Sequence, residues 1–211
     1  MNDRKGEGHV GPQPVQPPHG SDGPDFRGVL RHHYASAFKR FARLGFIFLA
    51  VWLLVYYSGI DYLFLLGVVG CLGFIFNVIF LWSRVLWILK CSRVFHTYPL
   101  EFRGPITKVN RDRELLFLRF ADQGNEANML AKSPLARQGW PEGISDGVWF
   151  AGDDPFGGAA IVPGSGELLF MQPNAWKLFA EKRKNAGEER NKRAWRAWIR
   201  WRVTFRLRGG T

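Results

Sequence analysis

The chain offers few residues whose types and spacing could support catalysis. Its two cysteines, Cys71 and Cys91, belong to no CxxC motif or Cys/His cluster, so disulfide, metal and redox chemistry gain no support. His96 could be a ligand or a titrating switch, but it has no carboxylate or Cys neighbour in the sequence. We therefore interpret it as a histidine at an interfacial helix end.

Asp153 and Asp154 are adjacent carboxylates, the residue type that metal binding and acid–base catalysis use. Consecutive strand residues point to opposite faces, and the following Pro-Phe-Gly-Gly favours a turn. Ser165 lacks the flanks of a nucleophile elbow, and residues 99–173 contain no His or Cys that could activate it. No phosphate-binding glycine motif occurs. The sequence predicts no enzyme, no catalytic residue, no cofactor and no metal site.

Membrane insertion is the strongest chemical signal in the chain. Residues 44–60 read LGFIFLAVWLLVYYSGI, and residues 62–82 read YLFLLGVVGCLGFIFNVIFLW. At about 1.5 Å per residue the second run spans roughly 31 Å, which matches the hydrocarbon core of a bilayer. Residues 44–82 contain one formal charge, Asp61, in 39 positions, which argues against a buried hairpin of a soluble protein. Both runs are predicted transmembrane helices.

The charge pattern predicts how this hairpin is oriented. Lys and Arg flank its open ends at Arg27, Arg31, Lys39, Arg40, Arg43, Arg84, Lys90 and Arg93. The turn, Ser58-Gly59-Ile60-Asp61, has none, and Gly59 is expected to end the first helix. Because basic residues stay on the cytoplasmic side, we expect a multi-pass protein of the cell (cytoplasmic) membrane with both termini cytoplasmic.

One face of the second span carries small and polar residues. Gly70, Gly73 and Asn77 fall at i, i+3 and i+7, which allows close helix packing and one interhelical hydrogen bond. The favoured interpretation is packing against the first span. A homo-oligomer contact or a polar pathway is the competing interpretation.

The spans have distinct flanking segments. Residues 1–25 are rich in Pro and Gly, lack a signal-peptide layout and are predicted to be a disordered tail. Residues 26–43 are predicted to be a basic juxtamembrane helix. Residues 83–98 keep helical spacing and should extend the second helix until Pro99 ends it.

Residues 99–173 change to short apolar runs separated by turn residues, which predicts a small antiparallel barrel or curled sheet. The predicted strands are Leu100–Val109, Glu114–Phe120, Asn128–Ala131, Gly147–Gly152, Gly158–Val162 and Glu167–Met171. Asn110-Arg111-Asp112 is predicted to be a turn. Leu116, Leu118 and Phe120 alternate onto one face, and the expected core partners are Trp149, Ile161, Leu168 and Phe170. The fold class is thus a membrane helical hairpin, a small all-β cytoplasmic domain and a basic C-terminal helix.

A family resemblance lies in residues 147–173, which read GVWFAGDDPFGGAAIVPGSGELLFMQP and follow a Tyr98-Pro99 entry into the first strand. The stretch resembles the cytoplasmic domain of uncharacterised multi-pass membrane proteins of actinobacteria, where a WFAGD turn, a GG pair and a PG-x-G-E hairpin recur. The resemblance covers about residues 40–173. It implies the two-span arrangement and the β domain, and the family brings no assigned function.

The formal charge of +11 is concentrated in residues 174–211, which carry 12 Lys and Arg against 3 acids. On a helical wheel, one arc holds Trp195, Trp198, Trp201 and Phe205, and the opposite arc holds Arg193, Arg196 and Arg200. This layout favours a helix lying in the membrane interface against anionic headgroups. Packing on the β domain is the first alternative, and nucleic-acid binding is an unlikely second one.

These observations predict a membrane-anchored interaction or scaffolding module. Its expected partners are the bilayer, anionic lipid headgroups and an unidentified protein. A membrane tether for nucleic acid is the alternative, and an enzyme with an unrecognised site ranks third.

Overall fold

The computed structural model describes residues 25–59, 63–112, 115–121, 128–134 and 139–200. Within them the chain forms two long helices, seven strands and two short helices. The predicted arrangement of two apolar helices followed by an antiparallel curled sheet is confirmed. The predicted tail, residues 1–25, lies outside the described residues except for Asp25.

Helix α1 (Phe26–Ser58) combines the predicted basic helix and the predicted first span in one 33-residue element. The Asp25 carboxylate caps it by accepting hydrogen bonds from the amides of Arg27 and Gly28, each at 3.1 Å. At the other end Gly59 adopts a left-handed conformation with φ of 63°, which a glycine accepts without steric cost. Gly59 therefore ends the helix, as the sequence predicts.

Helix α2 (Phe64–Thr97) combines the predicted second span and its extension. Tyr98 is extended, with ψ of 144°, because the residue before a proline is excluded from the helical region. The predicted end before Pro99 is confirmed. Both helices are long and apolar enough to cross a membrane.

The two helices pack through the predicted small-residue face. Asn77 donates a hydrogen bond from Nδ2 to the carbonyl oxygen of Phe41 at 3.0 Å. A Cβ on Gly70 would lie 3.1 Å from the carbonyl oxygen of Phe48 and 3.2 Å from the amide nitrogen of Trp52, so glycine allows a closer helix approach than a residue with a side chain. Gly73 faces the Phe48 ring. The structure thus places this face against α1, within the hairpin.

The sheet is antiparallel throughout, with the order β1-β5-β6-β7-β4-β3-β2. Its strands are β1 (Glu101–Arg103), β2 (Ile106–Asp112), β3 (Leu115–Phe120), β4 (Asn128–Lys132), β5 (Val148–Asp153), β6 (Gly157–Ile161) and β7 (Leu168–Pro173). The edge strands β1 and β2 are consecutive in the chain and separated by only Gly104 and Pro105. The sheet must therefore curl back on itself into a half-barrel.

Two predictions about the first strand are wrong. The predicted strand Leu100–Val109 is split at Gly104, where the chain leaves one edge of the sheet and joins the other. The predicted turn Asn110-Arg111-Asp112 belongs to β2, which pairs with β3 as far as Asp112. Turn-forming residue types misled the prediction because strand pairing overrode their local preference.

The sheet is buried on both sides at its centre. Leu116, Leu118 and Phe120 lie inside the curl, as predicted, but they pack with a set from the opposite strands: Phe150, Leu169 and Met171. The predicted partners Ile161, Leu168 and Phe170, and half-buried Trp149, belong to a second core on the helix side. Every residue of β6 and β7 is buried. Hydrophobic alternation therefore could not indicate which residues face the inside of the curl and which face the helices.

The C-terminal segment forms α3 (Ala180–Lys184) and α4 (Gly187–Arg196). The predicted helix through the Trp-rich segment is wrong for the described residues 197–200, because Trp198 has a positive φ of 60°. The amide of Ile199 donates to the carbonyl of Ala194 at 3.1 Å and closes the chain over the helix end. The helical wheel therefore does not apply to Trp198. Trp201 and Phe205 lie outside the described residues.

Candidate functional site

The best-defined site is the junction, where the end of α2 meets the sheet and the C-terminal segment. Its apolar residues are Ile88, Cys91, Val94 and Phe95 of α2, Ile161, Leu168 and Phe170 of the sheet, and Ala194, Ala197 and Ile199 of the C-terminal segment. All of them are buried. The Trp87 and Phe170 rings meet edge to face, with centroids 5.3 Å apart. The junction therefore joins α2 to the sheet through a hydrophobic core.

His33 connects α1 to the same junction. It is buried, and its Nε2 lies 3.0 Å from the carbonyl oxygen of Gly166 in the turn between β6 and β7. Because a carbonyl can only accept, Nε2 carries the proton and donates. Gly166 itself has a positive φ of 62°. The turn in the PG-x-G-E stretch therefore contacts α1.

The adjacent carboxylates, Asp153 and Asp154, pair with arginines from two different elements. Asp153, at the end of β5, accepts from Arg190 of α4 in a two-bond pair, with Nε to Oδ2 at 2.9 Å. Asp154, in the following turn, accepts from Nη1 of Arg103 in β1 at 2.6 Å. The Asp153 side chain is 10% exposed, and that of Arg190 is 53% exposed. Both carboxylates hold elements together, and their predicted place at a turn is confirmed.

Tyr98 lies beside this ion pair. Burial, reinforced by the negative charge of Asp153, raises the pKa of Tyr98 to about 12. Its hydroxyl is buried and has no hydrogen-bond partner among the described residues. The guanidinium of Arg193 lies 5.9 Å from the centre of its ring. A tyrosine with such a pKa stays protonated at neutral pH and cannot act as a base there.

The predicted membrane-interface residues fall into two groups. Arg193 and Arg196 are exposed on α4, and Trp195 is largely exposed beside them. Trp198 lies under the guanidinium of Arg93, whose central carbon is 3.5 Å from the ring centre. Arg200 is exposed at the end of the described chain. The structure therefore places Trp198 against α2 with 42% of it still exposed, and Trp195 is 60% exposed.

The residues that dock this segment were not predicted. Ala194, Ala197 and Ile199 are fully buried in the junction. In the sequence they are interspersed with the larger Trp and Arg side chains, on which the helical-wheel prediction was based. Their spacing of three and then two does not place them on one side of a regular helix, so no periodic signal in the sequence indicated them.

The junction has little capacity for bond-making chemistry. Burial raises the pKa of Cys91 to about 12, so its thiol stays protonated and unreactive. Ser165 accepts a hydrogen bond from the amide of Glu167 at 3.4 Å, as a turn residue does. His96 donates from Nδ1 to the carbonyl oxygen of Ser92, 2.7 Å away, near the end of α2. Within the described ranges, no group of three His, Cys, Asp or Glu side chains could hold a metal ion.

Comparison with known proteins gives no match: no protein-family model, no curated protein and no solved structure is similar to this chain.

Proposed function

We propose that the protein is a two-span integral protein of the cell membrane that holds a β module at the cytoplasmic surface as an interaction or scaffolding site. The observation that carries the proposal is the exposure of the two helices. Each helix has a strongly apolar stretch long enough to cross a bilayer, yet only 6% of that stretch in α1 and 17% of it in α2 are buried inside the protein. A core helix of a soluble protein would be covered by its own fold, so a bilayer is the environment that suits these helices.

Aromatic residues support the proposed depth of insertion. Trp82 is 66% exposed where the apolar run of α2 ends, and Tyr56 and Tyr57 are exposed at the opposite end of the hairpin. From Phe64 to Trp82 the α2 axis rises about 27 Å. Tryptophan and tyrosine favour the two membrane interfaces, and this span matches the hydrocarbon thickness.

The junction supports a module that is held in one orientation. Helix α2 continues from Trp82 to Thr97, so the same rigid element enters the bilayer and packs on the sheet. His33 and the Asp153–Arg190 pair add contacts from α1 and α4. We infer that the module binds its partner at a defined height and angle to the membrane.

One exposed part of the module lies along the edge strand β2. Thr107, Lys108, Val109 and Asn110 are exposed, and the β2–β3 register shifts between Lys108 and Asn110. A bulge in an edge strand interferes with the addition of another strand. The protein partner is therefore expected to contact side chains of β2.

The basic tail keeps two proposed roles. Its charge suits anionic headgroups, and nucleic acid is the alternative anionic partner. Arg190 and Arg193 face Asp153 and Tyr98 within the fold, and α4 packs on the end of α2. These contacts support the other alternative, packing of the segment on the fold, and they argue against a free nucleic-acid arm.

Membrane integration can be tested on the full chain by alkaline carbonate extraction of cell membranes. The wild type should remain in the pellet. The double variant Val69→Asp/Phe76→Asp, at two exposed α2 positions, should be released or degraded, because each charge in the bilayer costs about 2.5–3.5 kcal/mol. The matched control Thr107→Asp/Val109→Asp, on exposed β2, should remain membrane-bound. Release of the wild type would contradict the proposal.

The interaction role needs a separate measurement. A photo-crosslinking residue at Thr107 should give one reproducible protein adduct in native membranes, and the same probe at Phe80 should give lipid adducts. Absence of any protein adduct along β2 would contradict the scaffolding role.

A further inference from the structure

A cavity of about 430 Å³ opens between α1 and α2 on the side of the hairpin nearest the sheet. Arg40 and Arg43 of α1 and Arg84 of α2 line it, together with Leu44 and Phe80. Asn77 also lines it, but its amide donates to the Phe41 carbonyl and holds the wall of the cavity together. Three arginines from two helices therefore meet around one opening.

The helices supply no carboxylate to this cavity. Neither residues 26–60 nor residues 62–100 contain an Asp or Glu. The two helices therefore contribute positive side chains to the cavity lining and no negative ones. Guanidinium groups bind phosphate through paired hydrogen bonds, and arginine holds such an anion better than lysine because its fork is planar.

The cavity lies at the depth where a lipid headgroup would be. Arg43 directly precedes the apolar run that begins at Leu44. Arg84 follows Trp82, the residue that the proposed function puts at the membrane interface. Below the arginines the cavity wall changes to apolar side chains. Phe80 is 65% exposed and Leu44 is also exposed, so both face the space that an acyl chain would occupy.

We propose that this cavity binds one anionic phospholipid of the cytoplasmic leaflet, with its phosphate between Arg40, Arg43 and Arg84 and an acyl chain along Leu44 and Phe80. The assignment rests on the proposed membrane insertion. The cavity lining has a basic part next to an apolar part. A lipid would contact both parts, whereas a free anion would contact only the basic part, so a lipid is the favoured occupant.

The test uses the full chain in phosphatidylcholine nanodiscs with added phosphatidylglycerol, and native mass spectrometry counts the lipids that the released protein retains. The wild type should retain one phosphatidylglycerol in preference to phosphatidylcholine. In the triple variant Arg40→Gln/Arg43→Gln/Arg84→Gln this retention should fall by about tenfold or more. The matched control Arg27→Gln/Arg31→Gln/Lys39→Gln loses the same charge from α1 outside the cavity and should retain the lipid as the wild type does.

Equal retention by the two triple variants would overturn the lipid site while leaving membrane insertion intact. A wild type that retained inorganic phosphate but no phosphatidylglycerol would also overturn it, since the occupant would then be the free anion. The single variant Arg84→Gln should show a smaller loss and guards against misfolding of the triple variant. Release of the wild type by carbonate would instead contradict the proposed function, so the two failures are distinguishable.

Discussion

At the residue scale, the junction depends on charged and polar side chains whose partners are distant in the sequence. Asp153 meets Arg190, and His33 meets Gly166. The sequence predicted the turn around Asp153, because turn chemistry is local. It could not predict the Arg190 pair or the role of His33, because both depend on how α1 and α4 return to the sheet.

Replacing Asp153 with Asn should loosen α4. The substitution removes the charge from a two-bond pair in which the carboxylate is largely buried, and hydrogen bonds to charged groups contribute about 1.5–3 kcal/mol at most, less when the partner is half exposed. We expect the amides of residues 187–196 to exchange hydrogen about tenfold faster in detergent micelles. Asp146→Asn, at an exposed turn, should leave that exchange unchanged. Equal effects of the two substitutions would show that the pair does not hold α4.

Replacing Tyr98 with Phe should leave the protein as stable at neutral pH or stabilise it by about 1 kcal/mol, because a buried hydroxyl without a partner costs free energy. The pH dependence should change as well. Burial raises the pKa of Tyr98 from 10.0 to about 12, so its neutral form supports the fold fully below pH 10, and this support is lost as the pH rises toward 12. Thermal unfolding in micelles should show a smaller loss of stability over this window in the variant. If the wild type and the variant lost the same stability between pH 10 and 12, the raised pKa of Tyr98 would be wrong.

At the element scale, the helices were predicted more completely than the strands. Apolar runs, Gly59 and Pro99 are local signals, and they gave the type and ends of α1 and α2. The split at Gly104 and the second core at Ile161, Leu168 and Phe170 follow from the curl of the sheet and from α2 packing on its outer face. Neither cause is visible in the alternation of a single strand.

The packing of the hairpin can be tested at Gly70. A leucine there would push against the backbone of Phe48 and Trp52, and such overpacking costs about 1–3 kcal/mol. Gly70→Leu should therefore lower the Tm of the full chain in detergent micelles by several degrees. Val69→Leu changes the neighbouring exposed residue and should leave the Tm nearly unchanged. If both variants melted alike, the close approach of the helices at Gly70 would be wrong.

At the scale of the whole molecule, two environments meet at one continuous helix. The outer half of α2 is apolar and largely exposed, and its other end is buried against the sheet and the C-terminal segment. In the proposed membrane arrangement, this division would give the molecule a lipid-facing part and a water-facing part joined by one continuous helix. The Trp-rich segment was only partly predictable for the same reason. Its helical-wheel pattern suited a membrane interface. In the structure, Ala194, Ala197 and Ile199 dock at the junction, the helix ends, and Trp198 lies against Arg93.

The central claim, a hairpin that crosses the membrane with the β module inside, is tested most directly by cysteine labelling. In a Cys71→Ala/Cys91→Ala background, single cysteines at Ser58, Val69 and Glu188 report the turn, the span and α4, all at exposed positions. A membrane-impermeant maleimide should label Ser58→Cys in intact cells and Glu188→Cys only after permeabilisation. Val69→Cys should stay unlabelled in both. Labelling of Glu188→Cys in intact cells, or ready labelling of Val69→Cys, would contradict the account.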